Sequence, residues 1–174
     1  MRVILFASRN KDNKHIAGFK ERRKSFVSNL TDEELIEEFS SFVEKGVEGE
    51  FSRLYVSINT RDEAKVHKAF MHWLIDHPDC DLTRLESKVA SLAAKPECRE
   101  TKRWMFDFDE DESRYEEFAR DVYLCDPQVK LEKFRTPNGL CVVADRGFDT
   151  RGLKKWANVE LKKDAMRCLR WGRK

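Results

Sequence analysis

The stretch Lys102-Arg103-Trp104-Met105-Phe106-Asp107-Phe108-Asp109-Glu110-Asp111 constrains this chain more than any other. It reads as a strand running into an acidic turn. Side chains alternate between the two faces of a strand, so Trp104, Phe106 and Phe108 share one face and Asp107 and Asp109 the other. The aromatic face must be covered by another layer. The acidic face carries two neighbouring carboxylates whose repulsion needs relief. A hard divalent cation such as Mg²⁺ or Mn²⁺ relieves it, because such ions take carboxylate oxygens. An acidic strand end opening into a solvated loop is the plainer alternative.

Size and composition limit the remaining choices. A chain of 174 residues is expected to form one domain with a real core. Charged residues make up 38% of it, yet the net charge is only +2, so only local clusters can speak for nucleic acid. The five cysteines lie far apart and form no CxxC pair, which argues for reduced thiols in a cytoplasmic protein and against a zinc or disulfide framework. The longest apolar run, Val3 to Ala7, is too short for a signal peptide or a membrane span.

Residues 2–7 read as a short buried strand. Residues 8–29 are basic, and Arg22-Arg23-Lys24-Ser25 suits either phosphate binding or a solvated helix face. Thr31 and Glu34 form a capping box that opens a helix with the stripe Leu35, Phe39, Phe42 and Val43. Phe51 to Asn59 is an amphipathic strand with Leu54, Val56 and Ile58 on one face. Its other face, Arg53, Tyr55, Ser57 and Asn59, suits water or a phosphate and sugar equally well. Thr60 and Glu63 suggest a second capping box, followed by a helix with Val66, Ala69, Phe70, Trp73 and Leu74 inward. His67, His72 and His77 match no zinc spacing and are expected at the surface. Asp81 opens another helix, and Ser113 is the expected cap of a helix reaching about Leu124. Asn138-Gly139 between two strand-like runs, 129–136 and 140–145, predicts a hairpin with a type I′ turn. Residues 159–163 and 166–171 read as two more strands, and the basic tail carries Arg167, Arg170, Trp171, Arg173 and Lys174. That tail is either a base-stacking, phosphate-pairing segment or a frayed terminus.

These pieces predict an α+β, RRM-like sandwich: a mainly antiparallel sheet with helices packed on one face, preceded by an N-terminal α/β segment over residues 1–50. The RRM-like core would span 51–174. Its open face would bring Asp107 and Asp109 beside Arg53, Tyr55, Ser57 and Asn59, with Glu160, Lys162 and Asp164 on the late strand.

The hydrophobic-Asp-hydrophobic-Asp order (104–109), Thr-Pro-Asn-Gly-Leu (136–140) and a late acidic strand, Val-Glu-Leu-Lys-Lys-Asp (159–164), resemble the archaeo-eukaryotic primase superfamily. Together with Arg-Leu-Tyr-Val-Ser-Ile-Asn-Thr-Arg-Asp (53–62), they resemble an uncharacterised bacteriophage family more narrowly. The resemblance covers roughly residues 51–170. It implies an RRM-like catalytic core that performs metal-dependent nucleotidyl transfer on nucleotides and nucleic acid in DNA replication, in the host cytoplasm if phage-encoded. It also implies a divalent metal, Mg²⁺ or Mn²⁺, at Asp107 and Asp109, with Asp164 or Glu160 as the third acid. Arg53, Lys162 and Lys163 are the nearest candidates for the triphosphate charge, with Ser57 and Asn59 beside Arg53. Where the superfamily carries a nucleotide-contacting histidine, this chain reads Leu140-Cys141-Val142-Val143. A degenerate relative is therefore the competing expectation: a non-catalytic phage accessory protein that binds nucleic acid or a phage or host replication protein. The acidic run from Asp107 to Glu117 would then mimic nucleic acid. No GxGxxG, GxxxxGK or hydrolase motif occurs in the chain.

Overall fold

The computed structural model describes all 174 residues. Its strands are β1 (Arg2–Ser8), β2 (Arg22–Ser28), β3 (Phe51–Ser57), β4 (Trp104–Phe108), β5 (Leu131–Thr136), β6 (Gly139–Ala144), β7 (Val159–Lys162) and β8 (Met166–Arg173). The helices are α1 (Asp32–Glu44), α2 (Glu63–Asp76), α3 (Leu85–Ala93) and α4 (Tyr115–Cys125). No helix is long and apolar enough to cross a membrane.

The fold is an RRM-like α+β sandwich, built from two four-stranded antiparallel sheets rather than one. The first has the order β2-β1-β3-β8 and the second β5-β6-β4-β7. The expected boundary at residues 50/51 therefore falls inside one sheet, because β3 joins the N-terminal strands. β7 and β8, consecutive in the chain, lie in different sheets. The chain crosses between them at Lys163–Ala165, where the Ile58 amide donates to the Ala165 carbonyl at 3.0 Å.

Alternation decides which face of each strand is covered. In the second sheet Phe106, Phe108, Leu140 and Val142 pack with Phe118 and Val122 of α4 and with Trp156. Phe118 is fully buried, its ring centroid 5.3–5.4 Å from those of Phe106, Phe108 and Trp156. In the first sheet Ile4, Phe6, Leu54 and Val56 pack under Leu35 and Phe39 of α1. The Thr31–Glu34 capping box opens that helix. Part of the first sheet's other face is also covered: Val3 packs with Val66 of α2 and with Ala90 and Ala93 of α3. Ile58 meets Met105, Cys141 and Val143 and joins the two sheets at one end.

Several local expectations give way to other chemistry. Arg22-Arg23-Lys24-Ser25 lies on an edge strand, not a helix, and Arg22 binds Glu50 and the Phe42 carbonyl. The cap of α2 is Asp62, which accepts from the Lys65 amide, because the Thr60 amide is tied to the Thr101 hydroxyl. Asp111, not Ser113, caps the helical turn before α4, and the Ser113 hydroxyl donates to it. In the β5–β6 hairpin Thr136 pairs with Gly139, so the loop residues are Pro137 and Asn138. Neither has a positive φ, which excludes the type I′ turn.

Candidate functional site

The uncovered parts of the two sheets face each other across a cleft of about 710 Å³. One wall comes from the second sheet. β4 is flanked by β6 and β7, with Asp107 opposite Cys141 on one side and Glu160 on the other. Residues opposite each other in antiparallel strands project to the same face. Asp107, Glu160 and Lys162 therefore meet: the Lys162 ammonium lies 2.5 Å from Asp107 Oδ2 and 3.2 Å from Glu160 Oε2. Burial pulls the Lys162 pKa down, but the bonds from Asp107 and Glu160 outweigh it and leave the ammonium above its ordinary value. Asp109 follows the end of β4, where its amide donates to the Asn158 carbonyl, and its exposed side chain lines the cleft.

The other wall comes from the first sheet and is cationic. Arg9, Lys11, Arg53 and Tyr55 line it, joined by Arg167 and Cys168 of β8. Asp12 holds Arg9 at 2.8 Å and Arg53 at 2.7 Å, and thereby orients both guanidinium groups. The Arg53 side chain is 9% exposed, and its Nε has no acceptor. Burial pushes the Tyr55 phenol above its ordinary value, against the pull of Arg9 and Arg53. Burial also pushes the thiols of Cys141 and Cys168 up to about 11, so both are neutral packing groups at pH 7.

Asp164, the expected third acid, reaches the cleft rim but is held elsewhere. Arg61 binds both of its oxygens, at 2.9 and 3.0 Å, Asn59 Nδ2 adds a bond at 3.2 Å, and Arg99 stands 3.7 Å away. No three His, Cys, Asp or Glu side chains converge as a metal-holding group. Two further candidates stand outside the cleft. The Ser57 hydroxyl is buried, accepting from the Val3 amide and donating to the Asn59 carbonyl. Asn59 is fully buried and clasps both the amide and the carbonyl of Arg103, fastening β3 to the start of β4. The alternation along β3 is real, but its far end is covered where a continuous open face was expected. Lys163 points away as well, 5.0 Å above the Trp104 ring. The histidines of α2 are remote, with His77 stacked on Trp73 at 4.7 Å.

Arg9, Lys11 and Arg167 belong to the cleft without having been assigned to it from the sequence. Their only signal there is charge, which the neighbouring Arg22–Lys24 cluster carries equally.

The donor set bears on the divalent cation. Mg²⁺ is usually held by one or two carboxylates together with waters and substrate phosphates, seldom by an all-protein cage. Asp107 and Asp109 meet that requirement for a cation that arrives with a polyphosphate. They do not make a closed site, and the Lys162 ammonium already occupies the position between Asp107 and Glu160. In comparisons with known proteins, no family model and no curated protein matches the chain.

Proposed function

We propose that the cleft binds a nucleoside triphosphate with Mg²⁺ or Mn²⁺, and that the protein is a primase-like, metal-dependent nucleotidyltransferase acting on nucleotides and nucleic acid. One observation carries this reading. The cleft segregates charge, with Asp107, Asp109 and Glu160, partly offset by Lys162, on one wall and Arg9, Lys11, Arg53 and Arg167, partly offset by Asp12 and Asp32, on the other. A ligand that presents phosphates to the cations and a divalent ion to the carboxylates satisfies both walls at once. Arg9 and Arg53, preset by Asp12, would bind and orient phosphate oxygens. Lys162 would move from Asp107 to a phosphate and free that carboxylate. The cation, when bound, supplies polarisation of the phosphoryl group and lowers the proton affinity of an attacking 3′-hydroxyl. The five free thiols suit a reducing cytoplasm. The role in replication and the bacteriophage setting rest on the sequence resemblance.

One observation favours a second reading. Asp164 is committed to Arg61, and Cys141 stands on β6 where a histidine is expected, so the cleft suits binding without chemistry. In that case the protein is an accessory factor for nucleic acid or a replication protein.

Thermal unfolding with Mg²⁺ or Mn²⁺, with and without a nucleoside triphosphate, tests the proposal. Saturation at a hundred times Kd stabilises by about 2.7 kcal/mol. At about 2–4 °C per kcal/mol for a chain of this size, the midpoint rises by roughly 5–11 °C. The rise should need nucleotide and metal together, and it should vanish in Asp107→Asn/Asp109→Asn. Primer extension by the wild type then separates the enzyme from the binding protein. A nucleotide effect that is indifferent to metal and to both substitutions would sink the proposal.

A further inference from the structure

A second groove, of about 540 Å³, opens where the edge strands β5 and β8 run side by side. It shares Arg167 and Cys168 with the cleft, so the two adjoin along β8. Phe134, Arg135, Leu169, Arg170 and Trp171 line the rest. Its single acid, Asp32, is already bound by Arg2 and Arg167, at 2.6 Å each. Of the three cations in the groove, only Arg170 has no acidic partner. Arg170 is exposed and pairs with no carboxylate, and Arg135 reaches only Glu112, at 3.8 Å. Phe134 carries the Arg167 guanidinium 4.4 Å from its ring centre, and Trp171 is half-exposed.

We infer that this groove binds a single strand of nucleic acid and leads it into the cleft. The unpaired Arg170 and the loosely held Arg135 offer positive charge to a phosphodiester backbone. Half-exposed aromatic rings and a stacked guanidinium offer surfaces for unpaired bases, which a duplex keeps stacked away. The juxtaposition comes from the fold: β5 belongs to one sheet and β8 to the other, so the groove exists only where their edges meet. The strand's role as a substrate of the cleft rests on the function proposed above, but its binding to the groove does not.

The test is fluorescence anisotropy with a labelled ten-nucleotide oligothymidylate in EDTA over a range of KCl, beside a duplex of the same length. The single strand should bind more tightly than the duplex. Arg170→Gln, at an exposed and unpartnered position, leaves the fold intact and should lower the slope of log affinity against log salt by about 0.7. Trp171→Leu should weaken binding about tenfold at unchanged slope. Arg23→Gln removes the same charge from β2, at the opposite edge of the first sheet, and should leave the slope alone. Asp107→Asn/Asp109→Asn should still bind the strand without metal, which keeps the groove distinct from the nucleotide site. Equal affinity for the duplex, no binding of either, or equal effects of Arg170→Gln and Arg23→Gln would each overturn the inference.

Discussion

Asp164→Ala should destabilise the protein severely without touching any ligand. Arg61 is 3% exposed, and its guanidinium has no acceptor other than Asp164. Truncating Asp164 removes both of those bonds and the one from Asn59. A buried charge stripped of its partner costs about 3–5 kcal/mol, far above the worth of an exposed pair. For a chain of this length that corresponds to a fall in midpoint of roughly 6–20 °C. Urea unfolding followed by tryptophan fluorescence measures the loss directly. Asp164→Asn keeps one acceptor for Arg61 and should lose less. Arg61→Met/Asp164→Leu, which removes both charges, should recover most of the stability, since apolar replacements of buried pairs are often neutral or better. A loss under about 1 kcal/mol for Asp164→Ala, or no recovery in the double variant, would refute the view of this pair as a structural joint. The outcome also bears on activity assays: a variant of Asp164 must be compared with wild type well below its own midpoint, or unfolding will pass for lost chemistry.

Two further outcomes follow from the packing. At Gly147 an added Cβ would run into the Trp104 indole, so Gly147→Ala should displace that ring, cost about 1–3 kcal/mol and change the near-ultraviolet circular dichroism; an unchanged spectrum and stability would disprove the contact. Iodoacetamide at pH 8 should modify Cys80 and Cys125, which are half-exposed, and spare Cys98, Cys141 and Cys168 until the chain unfolds. Because Cys141 and Cys168 ionise only near 11 when folded but near 9 when unfolded, the unfolded chain releases its protons first as pH rises. Stability is therefore unaffected by these thiols below pH 9 and declines between about 9 and 11, and Cys141→Ala should shallow that decline.

What could be read from the sequence follows physical range. The alternation in 104–109 places Phe106 and Phe108 under α4 and Asp107 in the cleft, because a strand's faces are fixed locally. The Thr31–Glu34 box is equally local and forms as read. Strand partnership is not local. Nothing in residues 51–57 or 166–173 tells that these strands pair, and so two sheets read as one. β2 escaped notice because its basic first half lacks apolar alternation, which an edge strand does not need. The Asn-Gly signal was overridden by the proline before it, since Pro137 fixes a negative φ at the first loop position. At the site, the acid pair and Arg53 were legible as residue types. The capture of Asp164 by Arg61 was not, because it depends on two positions 103 apart in the chain returning to one place.

The pairing of β3 with β8 also sets the order of assembly. β3 is synthesised more than a hundred residues before its partner. Until β8 arrives, the first sheet has three strands and a bare edge along Leu54 and Val56, a surface ready to pair with a neighbouring chain. Closure of that edge must therefore wait until β8 has been made, and slow synthesis of the stretch between the two strands would favour aggregation over folding. The same strand forms one side of the groove, so the proposed nucleic-acid surface comes into being only as that edge closes.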